Sequence, residues 1–120
     1  MANIETESFD SPDEVRPFAG RGQVKVVNIG GRAITLGTFE PGWKWSNDLK
    51  PIAGTDSCQT RHFGYVLSGR MKVVMDGGNE LEIGPGDVGL IEPGHDAEVV
   101  GDEACVFVDF GDVEHYAEAH

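Results

Sequence analysis

A chain of 120 residues carrying a formal net charge of −12 is long enough for one domain with its own core and too short for two. The acid excess excludes nucleic acid as a partner, because a phosphate backbone is held by Lys and Arg, and it disfavours anionic membrane surfaces. No apolar run approaches the ~20 residues that span a bilayer, and no basic-then-apolar leader opens the chain. Two cysteines without such a leader point to a reduced, cytoplasmic setting rather than a disulfide framework.

Residues 1–19 read as an N-terminal arm. Glu5, Glu7, Asp10, Asp13 and Glu14 precede the first basic residue, Arg16, and such a segment is expected to be flexible, either frayed or clasping a neighbour through Phe9, Val15 and Phe18. From Gln23 the pattern becomes alternating: Gln-Val-Lys-Val-Val-Asn-Ile, a Gly30-Gly31 hairpin turn, then Arg-Ala-Ile-Thr-Leu-Gly-Thr-Phe up to Pro41-Gly42. Residues 43–57 form a long loop with Trp43 and Trp45 in it, and loops of that length in compact domains are often functional. Further strands are predicted at 62–67, 70–75, 81–83, 88–91, 97–100 and 104–110, separated by Gly-rich turns. No stretch between 20 and 110 has helical periodicity. Short strands with a turn every 8 to 12 residues predict an all-β sandwich or closed barrel over 20–110. Residues 111–120 are an acidic C-terminal tail, expected to be flexible or to form a short helix, with His115 and His120 solvated.

The chemistry concentrates in residues 54–69. Asp56, Cys58 and His62 are all potential metal ligands. Asp56 and Cys58 share a face of an extended chain, whereas Cys58 and His62 lie roughly 13 Å apart on a straight strand and meet only if Gln59-Thr60-Arg61 bends. A thiolate selects zinc or another transition metal over magnesium or calcium. His95, after the Glu92-Pro93-Gly94 turn, is the expected ligand from elsewhere in the chain, and Asp96 beside it is placed to orient an imidazole or take a proton. The plain alternative is that Cys58 is a small buried hydrophobe and His62 a hydrogen-bonded strand residue. Tyr65 reads as core with Phe63 and Leu67, or as a proton donor. Gly64, on the face of His62 and Val66, leaves room for a ligand. Trp43 and Trp45 are candidates for an aromatic wall over the cavity, or for simple packing at its mouth. Cys105 reads as core.

Tyr65-Val66-Leu67 with Gly69, then Gly84-Pro85-Gly86-Asp87 followed by Pro93-Gly94, resemble the two sequence motifs of small single-domain cupins over residues 32–110. The resemblance implies a double-stranded β-helix, or jelly-roll barrel, of six to eight strands, assembled as a homodimer with a metal in the barrel mouth. The motif's glutamate position falls on His62 and its two histidine positions on Asp56 and Cys58. A competing alignment, counted from Gly42, puts the histidines at Asp48 and Lys50, and lysine is a poor metal ligand. The second motif's histidine falls on Ala97, two residues beyond His95, and Glu92 replaces that motif's first proline. The implied site is therefore a rebuilt one: Cys58, His62 and His95, with Asp56, holding a divalent transition metal, zinc first and iron second. The expected function is a metal-dependent enzyme acting on a small polar metabolite, of isomerase, lyase or hydrolase type, with Asp96, Tyr65 and Glu98 as candidate proton carriers and Trp43, Trp45 and Tyr65 against the substrate. The competing expectation is a non-catalytic module that binds or senses a metal or a small molecule.

Overall fold

A computed structural model describes residues 4–118. The strands are β1 (Glu14–Pro17), β2 (Gly22–Ile29), β3 (Arg32–Phe39), β4 (His62–Ser68), β5 (Arg70–Met75), β6 (Glu80–Ile83), β7 (Val88–Ile91), β8 (His95–Val100) and β9 (Cys105–Asp109). Two single-turn helices, α1 (Trp45–Asp48) and α2 (Lys50–Ala53), interrupt the loop after β3. They replace part of the predicted loop: Pro51 sits in the first turn of α2, where its missing N–H costs nothing, and Gly54, at φ 73°, ends the helix in the left-handed region.

The strands form two antiparallel sheets. One runs β1-β2-β3-β9-β4-β7 and the other β6-β5-β8. The β2–β3 hairpin turns on Gly30 and Gly31, with Ile29 opposite Arg32. A two-residue loop of that kind needs positive φ at both central positions, and the two glycines adopt 57° and 77°. Alternation then decides what faces the space between the sheets. Val24 and Val26 on β2, Val66 on β4, Met71 and Val73 on β5, Ala97 and Val99 on β8, and Cys105 and Phe107 on β9 all point inward and are buried. Gly64 belongs to this inner set, but the space beside it is not free for a ligand. A Cβ there would lie 1.9 Å from the Val108 carbonyl oxygen and 2.8 Å from the Phe107 ring, so Gly64 is what lets Phe107 lie across β4.

Residues 13–17 and 113–118 are tied to this frame. Asp13 through Pro17 pair along β2, and Arg16 is buried. Its guanidinium donates to the backbone carbonyls of Val113 (3.4 Å) and Tyr116 (3.0 Å), with Glu118 3.5 Å away. Val113, Tyr116 and Ala117 are in turn buried against the mouth of the barrel. An acidic, sparsely apolar tail lacks the surface to order itself, and a cation on another strand supplies what the local sequence does not. His120 lies outside the described residues.

Candidate metal centre

The bend between Cys58 and His62 exists because the two residues belong to different sheets. Cys58 bridges to the start of β8: its N–H donates to the His95 carbonyl at 2.7 Å, and its own carbonyl accepts from Gly94 at 2.7 Å and His95 at 3.2 Å. His62 opens β4 opposite Ile91. Residues 59–61 therefore cross from one sheet to the other, and a spacing that a straight strand would stretch closes to 3.6 Å between Cys58 Sγ and His62 Nε2. One ligand atom from each of Cys58, His62 and His95 lies within 4.8 Å of the others, and all three residues are buried.

The far side of each imidazole is already committed. His62 Nδ1 pairs with Asp109 Oδ2 at 2.5 Å, and His95 Nδ1 donates to the Glu92 carbonyl at 2.8 Å. A carboxylate and a carbonyl both demand a proton on Nδ1, which leaves each Nε2 as the lone-pair nitrogen when the ring is neutral. Asp109 is itself fixed, because its other oxygen accepts from the Phe63 and Gly111 backbone N–H groups at 3.1 and 2.9 Å. Burial alone would push the Cys58 thiol up, but hydrogen bonds from His62 and His95, and the charges they carry, outweigh it and bring the thiol down to about 6. Burial would push His62 down, but its bonds to Asp109 and Cys58, and their charges, bring it up to about 9. The ion-free site is a thiolate beside an imidazolium.

The Cys58–His62 spacing suits a tetrahedral divalent ion. Zinc–sulfur and zinc–nitrogen bonds of about 2.3 and 2.0–2.1 Å at the tetrahedral angle put sulfur and nitrogen about 3.6 Å apart, and Cys58 Sγ and His62 Nε2 stand at 3.6 Å. Beside the two histidines is a cavity of about 30 Å³ walled by Phe39, Trp43, Trp45, Ile91, Phe107 and Tyr116. That is one water's share of the liquid. The indole N–H groups of Trp43 and Trp45 are buried and have no hydrogen-bond partner among the described residues. A single water, or the oxygen of a bound ligand, is the acceptor the cavity has room for.

Residues 57–111 match the family model described as the cupin domain. Solved structures agree on the fold. The polyketide cyclase RemF from Streptomyces resistomycificus is 20% identical, with a TM-score of 0.64 over 92% of this chain and 80% of its own. An uncharacterised protein from Klebsiella pneumoniae with a double-stranded β-helix domain is 20% identical, with a TM-score of 0.58 over 100% of this chain and 95% of that one. The chain carries a small cupin-type domain. An oxalate decarboxylase from Lactobacillus farciminis is also similar, at 16% identity and a TM-score of 0.61, with 93% of this chain matching only 34% of that longer one. No curated relative matches the sequence.

Within the cupin frame, the two-residue displacement of His95 from the expected histidine position has a simple geometry. His95 and Ala97 have the same parity on β8, and both point inward. A shift of two along a strand changes depth but not face. The competing positions do not reach the site. Asp48 is buried against Arg21 (3.0 Å) and the Lys44 N–H (2.9 Å), and Lys50 lies 4.0 Å from Asp56.

Four expected site residues lie elsewhere. Asp56 is fully exposed, with Lys50 its nearest cation, because the Thr55-Asp56-Ser57 turn sits before the bridge that draws Cys58 inward. Asp96 has the opposite parity to His95. Its carboxylate accepts from the Ser46 and Ala97 N–H groups at 3.1 and 2.9 Å and fixes α1 to β8. Glu98 shares that outer face, 3.8 Å from Lys72. Tyr65 stands on the outer face of β4 with Phe63 and Leu67, all three exposed, because the pleat that turns His62 and Val66 inward must turn them outward. Trp43 and Trp45 do wall the inner cavity. Two residues of the site were not singled out from the sequence. Asp109 was legible as the one acid on the inward set Cys105, Phe107, Asp109 of an otherwise apolar strand. Tyr116 packs edge-on against His62, ring centres 4.9 Å apart, and burial, then the charges of Cys58 and Asp109, push its phenol well above the usual range. No local signal marks it, since it reaches the site only through the docking of the tail.

Proposed function

We propose that this cupin domain binds a divalent transition metal, zinc first and iron second, through Cys58, His62 and His95. The observation that carries the reading is the convergence of one thiolate and two imidazoles whose Nδ1 atoms are already taken, at a separation that suits tetrahedral zinc. A bound ion would supply a Lewis acid with a position left for a ligand oxygen. Asp109 holds His62, the Glu92 carbonyl holds His95, and Trp43 and Trp45 wall the adjoining cavity. Soft sulfur in the set places zinc ahead of iron, because a thiolate beside a redox-active ion is itself oxidisable.

A buried cavity of only about 30 Å³ favours holding or sensing an ion over turning over a metabolite, since none of the expected proton carriers faces it. The enzymatic reading, a small-molecule isomerase, lyase or hydrolase, is favoured by one group. Tyr116 carries a proton at the cavity wall against His62 and would be the proton carrier once the tail moved. Elemental analysis of protein purified without an affinity tag tests the shared premise. Near one equivalent of zinc or iron is expected. Retention below about a tenth of an equivalent, with none taken up on incubation, contradicts it.

The exposed face of β4 and β7 supports a homodimer. Phe63 lies opposite Leu90 and Tyr65 opposite Val88, and these four and Leu67 are exposed, an apolar stripe that a second copy would cover. Sedimentation should show a dimer that Leu67→Glu converts to monomer. A wild-type monomer at all concentrations overturns it. The two free cysteines agree with a reducing compartment.

A further inference from the structure

A second space opens between the sheets, away from the metal centre. It lies where the free edge of β6 faces the free edge of β7 and holds about 350 Å³, within the range of ordinary small-molecule sites. Its walls are mostly apolar, with Val73, Met75, Leu81 and Ile83 on one side and Gly89 and Ile91 on the other; Val88 and Leu90 of the outer stripe border it, and Asn79, Glu80 and Glu92 are its polar members. Leu81 pairs with Val73, so it stands on the inward face of its sheet, yet it is 71% exposed while Val73 is 6% exposed. An inward-facing leucine left bare means that the opposing sheet does not reach it. Gly89 is part of the reason. A Cβ placed there would meet only Ile83 Cδ1, at an ordinary 3.8 Å, so a larger residue would fit, and its absence keeps the cleft open. The charged residues at the rim are already paired: Glu80 lies 3.7 Å from Lys72, and Glu92 lies 3.0 Å from Arg61.

Ile91 also lines the small cavity beside His62 and His95, so it borders both spaces. We infer that the cleft between β5–β6 and β7 binds the apolar part, a ring or a branched alkyl group, of a small uncharged molecule whose polar end points past Ile91 toward the metal centre. The direction of the polar end rests on the metal reading, and the apolar site does not. A second copy of the chain suits this place less well than the outer stripe, because the cleft is concave and walled by two sheets, and a flat sheet face cannot fill it.

The probe is N-phenyl-1-naphthylamine, a neutral ring compound whose fluorescence rises in apolar surroundings, titrated against the full chain as purified and after chelator treatment. Saturable binding at about one site per chain is expected in both, so loss of the metal and loss of the cleft are read separately. Gly89→Leu should weaken binding about tenfold or more by filling the space, Leu81→Gln by several-fold, and Gly89→Ala and Leu67→Gln hardly at all. Metal content and the β-rich circular dichroism signal should be unchanged in all four variants. No saturable binding, binding indifferent to Gly89→Leu, or binding abolished by Leu67→Gln would overturn the inference. Binding that emerges only on dilution would identify a second copy as the occupant and would also overturn it.

Discussion

The two spaces that Ile91 borders are built on opposite terms. The candidate metal centre is small, buried and over-determined. Each ligand residue is buried, each imidazole is fixed from behind, and the cavity beside it holds about 30 Å³. The cleft is wide, open and under-determined, with two unpaired strand edges, an inward leucine left bare and a glycine where a side chain would fit. Both arise from the same alternation of strand residues. What differs is the supporting shell. Polar side chains in a dry interior must be satisfied one by one, so the centre's partners are specified in detail, whereas apolar walls tolerate a gap. The buried site should therefore fail sharply when a single residue changes, and the open one gradually.

The sharpest break should come from the ligands. Cys58→Ala, His62→Ala and His95→Ala are each expected to lower metal affinity by about a hundredfold or more while the circular dichroism spectrum stays β-rich, read by competition with a chromophoric chelator. Next is Asp109→Ala, which leaves His62 free to turn and to change tautomer. A loss of about 10–100-fold is expected, with partial rescue by Asp109→Asn, whose carbonyl oxygen still accepts from Nδ1. A smaller effect attends Arg16→Gln. It releases the carbonyls of Val113 and Tyr116 and should speed removal of the metal by a chelator several-fold with little change in equilibrium affinity, because Tyr116 packs over His62 and none of the described tail residues is among the candidate ligands.

The electrostatics add a pH test on metal-free protein. The Cys58 pKa is depressed from 9.0 to about 6, so its contribution to stability is fully present above the unfolded value and is lost as pH falls through about 6. The His62 pKa is raised from 6.5 to about 9, so its contribution is fully present below 6.5 and is lost as pH rises through about 9. Thiolate absorbance should titrate with a midpoint near 6 and vanish in Cys58→Ser. Metal uptake between those limits should release the His62 Nε2 proton and none from Cys58, which has already lost its own. The smallest effect of all is expected for Asp56→Ala and Glu98→Gln, which should leave metal content unchanged. A loss there would mean that the exposed turn folds over the site.

Much of the barrel was legible because turn chemistry and alternation are local. Gly30-Gly31 fixes a hairpin, and 62–67, 70–75 and 88–91 carry the right period in isolation. The metal set was legible only in part. Cys58, His62 and His95 are ligand types near turns, but their convergence depends on Cys58 bridging to β8 while His62 pairs with β7, a long-range event that no spacing encodes. Apolarity is a poor guide to the face of Tyr65, which is exposed. On an edge-exposed sheet the apolar face of β4 is the outer one, and the parity of His62 was the better guide. Arg16 and Tyr116 meet across 100 residues, and the order of the tail follows from that contact rather than from its own composition.

The central claim is that sulfur and two imidazoles share one ion, and cobalt substitution tests it most directly. Cobalt(II) added to metal-free protein at neutral pH should saturate at one equivalent, with a thiolate-to-metal charge-transfer band and strong tetrahedral visible absorption, and Cys58→Ser should lose the charge-transfer band. A weak octahedral spectrum without that band, or a band that survives in Cys58→Ser, would contradict the account.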